Sequence, residues 1–465
     1  MRRQALNVAG LTAGDAGARF VGFLVTVYLA RILAPSAYGL ISIGLALLGQ
    51  LSLLSSPGVQ MVEARNVASG AGGSRERTGT VLGMRLLLAA GLWCGTTVVL
   101  TLVPAFAPIK TLLILFAASL LPLAAMMDWY FQGREQGVLA GGARLLQSVV
   151  YAIFLVLLVH SADDLTNVPL ALFIGNAAAA GILLVVFLGL EGMPRVRWDP
   201  AGWRKVFVEN ASVGLAVAMG QLVINYPPVA IGWLLGTAEA GLWGAAMKLV
   251  FLVLILDRVL NAALIPPMTR ILARREGDVQ AQVMLIYRIV TAAILPVAFA
   301  GAVLAAPAVS LVFGEAYAGA AWMLSALMVY VVLTLVNSVF VCAMIGGRRE
   351  RQYSRRMILG SIVLVLSVTA LTLAAGAPGT VAGVLVGEAT TLGLMMSGLS
   401  RTLGLRVRPL QKDLLTGLVV LVAAVLLFRD SLLQLSVGVV GYGLVLGFFR
   451  SFPAAQLREL RRRLT

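Results

Sequence analysis

Apolar runs long enough to cross a bilayer recur along the whole chain, separated by short turns rich in Gly, Pro and Arg. A helix needs about 20 apolar residues to span the hydrocarbon core. Runs of that kind are read at 7–33, 38–62, 79–103, 109–131, 142–160, 168–190, 206–235, 239–265, 283–305, 319–345, 357–375, 379–400, 412–428 and 431–449. Some exceed 20 residues, which implies tilt or bending. A transmembrane barrel would instead show alternating segments of about ten residues, and none occur. The pattern predicts an all-α polytopic membrane protein of about 14 transmembrane helices.

Composition agrees, with 60% hydrophobic and 12% charged residues and a mean hydropathy of +0.95; a soluble domain carries about 25% charge. The net charge of +16 would suggest nucleic acid if its placement did not explain it. With the N-terminus placed in the cytoplasm, 28 of the 36 Lys and Arg fall on the cytoplasmic side. Only Lys110 and Arg429 fall outside, and Arg19, Arg31, Arg85, Lys248, Arg258 and Arg288 lie within spans. This is the positive-inside pattern of a multi-pass membrane protein with both termini cytoplasmic, and no nucleic-acid partner is implied. The first helix reads as an uncleaved signal anchor. The basic tail 451–465 reads as an interfacial helix on anionic lipid, or equally as a frayed end.

Function classes narrow by what the chain lacks. Cys94 and Cys342 sit in apolar runs, so neither a disulfide framework nor a metal site is indicated. The single His160 borders an outside loop, and there is no Walker or HExxH motif. No loop is large enough for a catalytic domain, so the chain reads as a carrier rather than an enzyme, with no cofactor.

Sliding the chain by 202 positions lays Leu33-Ala-Pro-Ser-Ala-Tyr-Gly-Leu40 on Leu235-Gly-Thr-Ala-Glu-Ala-Gly-Leu242. Both copies run from inside to outside, so the repeat is parallel, about an axis along the membrane normal. The expected organisation is an N-terminal lobe at 1–190, a linker at 191–205 and a C-terminal lobe at 206–402. Two extra helices follow at 403–450, then the tail.

These turn motifs, Leu29-Ala-Arg-Ile-Leu-Ala-Pro-Ser-Ala-Tyr-Gly-Leu40 and Ile231-Gly-Trp-Leu-Leu-Gly-Thr-Ala-Glu-Ala-Gly-Leu-Trp243, resemble those of the polysaccharide (O-antigen, Wzx-type) flippases. That family belongs to the multidrug/oligosaccharidyl-lipid/polysaccharide exporter superfamily. The resemblance implies two pseudo-symmetric six-helix lobes in a V around a central cationic cavity. It also implies translocation of an undecaprenyl-pyrophosphate-linked oligosaccharide across the bacterial inner membrane by alternating access. Expected partners are that glycan, membrane lipids, a polysaccharide polymerase and a chain-length regulator. Relatives often carry an acidic residue in the seventh span, where this chain has Pro227-Pro228. A cation-coupled multidrug exporter and a peptidoglycan-precursor (lipid II) flippase share the fold. A membrane glycan polymerase or ligase would need a sizeable outside loop.

Charge inside a span is expensive, about 2.5–3.5 kcal/mol at the centre on insertion scales, so it marks function by default. Arginine recognises phosphate through a planar fork and lysine as a point charge. Arg19, Lys248 and Arg258 are therefore the expected cationic substrate contacts, with Gln221 and Asn225 suited to glycan hydroxyls or to interhelical bonding. Asp15, one turn from Arg19, is its ion-pair partner or a proton or sodium site. Asp257 and Glu388 are further candidates for coupling or ion pairing. Pro227 and Pro228 predict a kink, as hinge or static bend. Arg31 borders the turn motif as a possible outer gate, while Arg31, Arg85 and Arg288 are all within reach of an interface by snorkelling. Gly10, Gly14 and Gly17 predict close helix packing. The Asp15/Arg19 pair does not recur in the repeat, where Val217 and Gln221 stand.

Overall fold

Proline and glycine set where these helices begin and end. The first helix, α1 (Arg2–Ile32), stops before Pro35, because the residue ahead of a proline is driven out of the helical region. Ala34 is accordingly extended, and α2 (Pro35–Ser55) starts on the proline itself, whose missing N–H costs nothing at a helix N-terminus. The computed structural model describes residues 2–70, 75–104, 107–196, 199–274, 279–403, 419–421 and 431–448. Among the described residues there is no strand, and ten helical segments are long and apolar enough to cross a membrane. The molecule is an all-helical multi-pass membrane protein.

The chain divides into two units, Met1–Gly241 and Leu242–Thr465. In the first, α2 is followed by α3 (Val59–Ala68), α4 (Arg75–Leu102), and three short helices, α5 (Lys110–Ala118), α6 (Leu120–Ala125) and α7 (Asp128–Gly133). Then come α8 (Gly137–Leu158), α9 (Asn167–Glu191) and α10 (Pro200–Leu234). Two of the expected spans are thus broken, the second at Ser56–Gly58 and the fourth at Met126–Met127. Trp129, Tyr130, Phe131 and Phe187 form the aromatic centre of the core, with Tyr130 edge-on to both Phe131 and Phe187. The seventh span, α10, packs on α2, α3 and α4 in this unit, and it runs unbroken through Pro227 and Pro228.

The second unit holds α11 (Thr237–Val253), whose first residues still belong to the first, then α12 (Ile255–Arg274), α13 (Val279–Val303), α14 (Ala305–Phe313) and α15 (Ala320–Gly346). The long α16 (Glu350–Leu403) holds the eleventh and twelfth spans, folded about Gly376 at φ 66° and ψ −142°. That left-handed conformation is open to glycine at little cost. The buried α15 packs against α12, α13 and α16, and α17 (Ser431–Phe448) packs against α13. The thirteenth expected span, apart from 419–421, and the basic tail lie outside the described residues.

Residues related by the 202-position offset meet in space. A Cβ on Gly39 would lie 1.8 Å from the carbonyl oxygen of Thr237, and one on Gly241 would lie 1.9 Å from that of Pro35. Under that offset Gly39 corresponds to Gly241 and Pro35 to Thr237, so the contact is reciprocal, and all four residues lie in the first unit.

A buried ionic knot ties α3, α4 and α10 together. Glu63 is fully buried and accepts from Arg77 Nε and Nη2 (2.9 and 2.8 Å), Asn66 (3.2 Å) and Asn210 (3.2 Å). Removing one partner of such a pair strands a buried charge. We expect Arg77→Met to lower the unfolding free energy by about 3–5 kcal/mol, and Arg77→Met combined with Glu63→Leu to recover part of it. Thermal unfolding in detergent measures both; an unchanged midpoint in the single variant would contradict the role given to the knot.

Candidate functional site

Close backbone approach comes first, because it determines which side chains can meet. Gly10 and Gly14 on α1 face Gly137 and Gly141 on α8, a small-residue motif on both helices that lets backbones touch. A Cβ on Gly14 would lie 2.3 Å from the Gly141 carbonyl, and Gly17 meets Leu145. This contact carries Asp15 and Arg19 of α1 up to Arg144 of α8. Arg19 Nε donates to Asp15 Oδ2 at 3.0 Å, and Arg144 Nη1 lies 3.6 Å from Asp15 Oδ1. Arg144 Nη2 reaches the other way and donates to Asp128 Oδ2 at 2.8 Å.

The two helix breaks supply the rest. Backbone without its helical partners is tolerated at membrane depth where protein or a cavity satisfies it. Asp128 opens α7, accepts from the Trp129 backbone N–H (3.0 Å) and is reached by Gln60 of α3 (3.2 Å). Arg85 of α4 is 6% exposed and donates to the carbonyls of Met126 (2.6 Å) and Leu123 (3.2 Å), at the end of α6, while its Nε is buried without a partner. All these groups line one cavity of about 530 Å³ within the first unit, with Ser52, Ser55, Ser56, Gln147 and Ser148 beside them. Three arginines against two aspartates leave the lining cationic.

Of the residues expected from sequence, Asp15 and Arg19 line this cavity and the others do not. Gln221 and Asn225 face α2, where Gln50 donates to the Gln221 carbonyl at 3.5 Å and Asn225 lies against Gly49. Pro227 and Pro228 are buried inside α10, and Arg31 is exposed in the last turn of α1. Lys248 is half-buried on α11 and forms no ion pair with a carboxylate among the described residues; Arg258 is exposed on α12. The second unit has its own polar cluster. Asp257 accepts from Ser338 and from Asn261 (3.1 Å), and the Cys342 thiol donates to Asn261 (3.2 Å). The buried Glu388 lies beside Thr334 and Asn337.

The model of one protein family, described as polysaccharide biosynthesis protein, matches residues 5–272, more than half of the chain and the whole of the cavity. The chain belongs to the polysaccharide biosynthesis protein family. Among curated protein sequences nothing matches it. Solved structures are similar in fold. The lipid II flippase MurJ in its inward closed conformation has a TM-score of 0.72 and 10% identity, covering 95% of this chain and 99% of that one. An inward-facing multidrug resistance MATE family transporter of the MOP superfamily gives 0.67 and 14%, covering 83% and 95%. An outward-facing one gives 0.53 and 15%, covering 87% and 96%. This polysaccharide biosynthesis protein thus shares the fold of these membrane transporters.

Sequence reasoning missed three charges of this family member's cavity. Arg85 was expected to snorkel; it is instead buried, because the break in the fourth span offers carbonyls to its guanidinium. Arg144 lies at the edge of the expected fifth span, 142–160, but α8 begins at Gly137 and carries it two turns into the helix. Asp128 was passed over inside an apolar run, though a carboxylate at membrane depth is itself the signal. For the glycine contact that gathers these groups, we expect Gly14→Ala to lower the thermal midpoint in detergent. Gly142→Ala, where a Cβ meets nothing within 4 Å, should leave it unchanged. Equal effects of the two would remove the close approach from the account.

Proposed function

We propose that this protein is a bacterial inner-membrane flippase that passes an undecaprenyl-pyrophosphate-linked oligosaccharide from the cytoplasmic to the outer leaflet by alternating access. The observation that carries this reading is the arginine-rich cavity, in a family described by polysaccharide biosynthesis. A lipid-linked saccharide presents a diphosphate and a hydrated glycan. Arg19, Arg85 and Arg144 offer planar donors to the first, and Gln60, Gln147 and the serines offer neutral hydrogen bonds to the second. An exporter of organic cations would want the opposite balance of charge. The charge pattern of the loops supports cytoplasmic termini, so the polymerase and chain-length regulator that extend the glycan would act on the opposite face.

The carboxylates of the second unit are the candidates for coupling to a proton or sodium gradient. Asp257 and Glu388 are held on different helices amid Asn and Ser or Thr groups, away from the cavity arginines in sequence. We expect Glu388→Gln to slow export without reducing the protein's level in the membrane; export at the normal rate would take Glu388 out of coupling.

Arg19→Ala should abolish surface polysaccharide while membrane levels of the protein hold, read by glycan staining beside an immunoblot. Normal polysaccharide with stable Arg19→Ala protein would remove the cavity from the mechanism. Rescue of a strain lacking its lipid II flippase, with no effect on surface polysaccharide, would move the substrate to peptidoglycan precursor. Genes for glycosyltransferases and a polymerase beside this one would favour the polysaccharide.

A further inference from the structure

Most of the neutral side chains that line the cavity have already committed a donor to the protein. Ser52 Oγ donates to the Gly49 carbonyl at 2.8 Å, and Ser55 Oγ donates to that of Ser52 at 2.9 Å. The Gln60 amide nitrogen donates to Asp128 at 3.2 Å, and that of Gln147 donates to Asn176 Oδ1. Each of these four groups keeps oxygen lone pairs for a ligand. The strong donors of the cavity are its arginines. The lining is thus divided into N–H forks for an anion and neutral oxygens for whatever stands beside that anion.

Gln147 occupies the decisive place among those oxygens. It follows Arg144 by three residues on α8, so the two are neighbours on one helix face, with about 5–6 Å between their Cβ atoms. Its amide is fixed from behind, by α9. Gly175 lets α9 close on α8, since a Cβ there would lie 2.7 Å from the Gln147 backbone carbonyl oxygen. The next residue, Asn176, is 1% exposed, takes the Gln147 amide nitrogen and does not itself line the cavity. A carboxamide carries its oxygen and nitrogen on opposite edges, so a nitrogen anchored on α9 turns the oxygen away from α9.

We propose that Asn176 positions Gln147 as a hydrogen-bond acceptor, and that this acceptor selects ligands carrying an O–H or N–H donor beside their phosphate. A sugar joined to phosphate through its anomeric carbon offers such a donor on the neighbouring ring carbon, as a hydroxyl or an acetamido group. With the phosphate on Arg144, that donor meets Gln147 Oε1 one turn along α8. A sugar deoxygenated at that carbon leaves the oxygen unpaired and binds less well. The proposal rests on the reading of this cavity as a diphosphate site and adds which sugars can follow the diphosphate. A bond that only joined α8 to α9 would affect the stability of the protein and not its choice among sugars.

The test uses the full-length protein in lipid nanodiscs, with calorimetric titration as readout. The probes are inorganic pyrophosphate, N-acetylglucosamine 1-phosphate, glucose 1-phosphate and 2-deoxyglucose 1-phosphate. The wild type should bind the first two sugar phosphates about tenfold more tightly than the deoxy sugar, the worth of one hydrogen bond. Gln147→Leu and Asn176→Leu should each bring that ratio close to one while pyrophosphate still binds. Asn176→Asp keeps an oxygen for the Gln147 nitrogen and should keep the preference. No pyrophosphate binding by the wild type would overturn the diphosphate reading, and this proposal with it. Pyrophosphate binding by a wild type that does not distinguish the sugars would overturn the selection alone. A preference that survives Gln147→Leu would take the acceptor role from Gln147, and one that survives Asn176→Leu would take the positioning role from Asn176. Loss of all binding in both leucine variants would make the pair a support of the whole site and overturn the selection as well.

Discussion

Two helix backbones in contact decide where the cavity charges lie. Gly10 and Gly14 on α1 and Gly137 and Gly141 on α8 remove the side chains that would hold the helices apart. In a bilayer no hydrophobic gain drives helices together, so packing and polar contacts must do so. The touching glycines allow the approach, and the bridge of Arg144 between Asp15 and Asp128 uses it. Widening that seam by one methyl group would lengthen a contact already at 3.6 Å beyond the reach of an ion pair.

Helix breaks provide the second ingredient. An intact helix satisfies its own carbonyls and offers nothing to a buried arginine. At the end of α6 the Met126 carbonyl accepts from Arg85, and the Leu123 carbonyl accepts from Arg85 as well as from the Met126 N–H. The break at Ser56–Gly58 brings Ser55, Ser56 and Gln60 to the same cavity from another side. Irregular backbone and buried charge thus satisfy each other, and each would be unfavourable alone.

How far this was legible in the sequence depends on whether a feature is local. The turn at Pro35, the fold of the long helical pair near Gly376 and Pro378, and the packing role of Gly10, Gly14 and Gly17 follow from short-range chemistry and could be read directly. Asp15 and Arg19 could be read because they share one helix face a turn apart. Arg85, Arg144 and Asp128 come from three further helices, and only the tertiary fold shows that they converge. For Gln221 and Asn225 the sequence left glycan contact and interhelical bonding open for the same reason. Their polarity was visible, but not the neighbour they face, which is α2.

The reciprocal contact of Gly39 with Thr237 and of Gly241 with Pro35 has the form of a homodimer interface, yet it is built within one chain. In a true homodimer every substitution strikes both sides at once, so the two halves can never differ. Here each half is encoded separately. The contact can stay symmetric where the glycines must touch, while Pro35 and Thr237, or Arg19 and Gln221, diverge freely. The contact thus stays reciprocal where the glycines touch, while the charged cavity that Asp15 and Arg19 line is built from residues of the first unit.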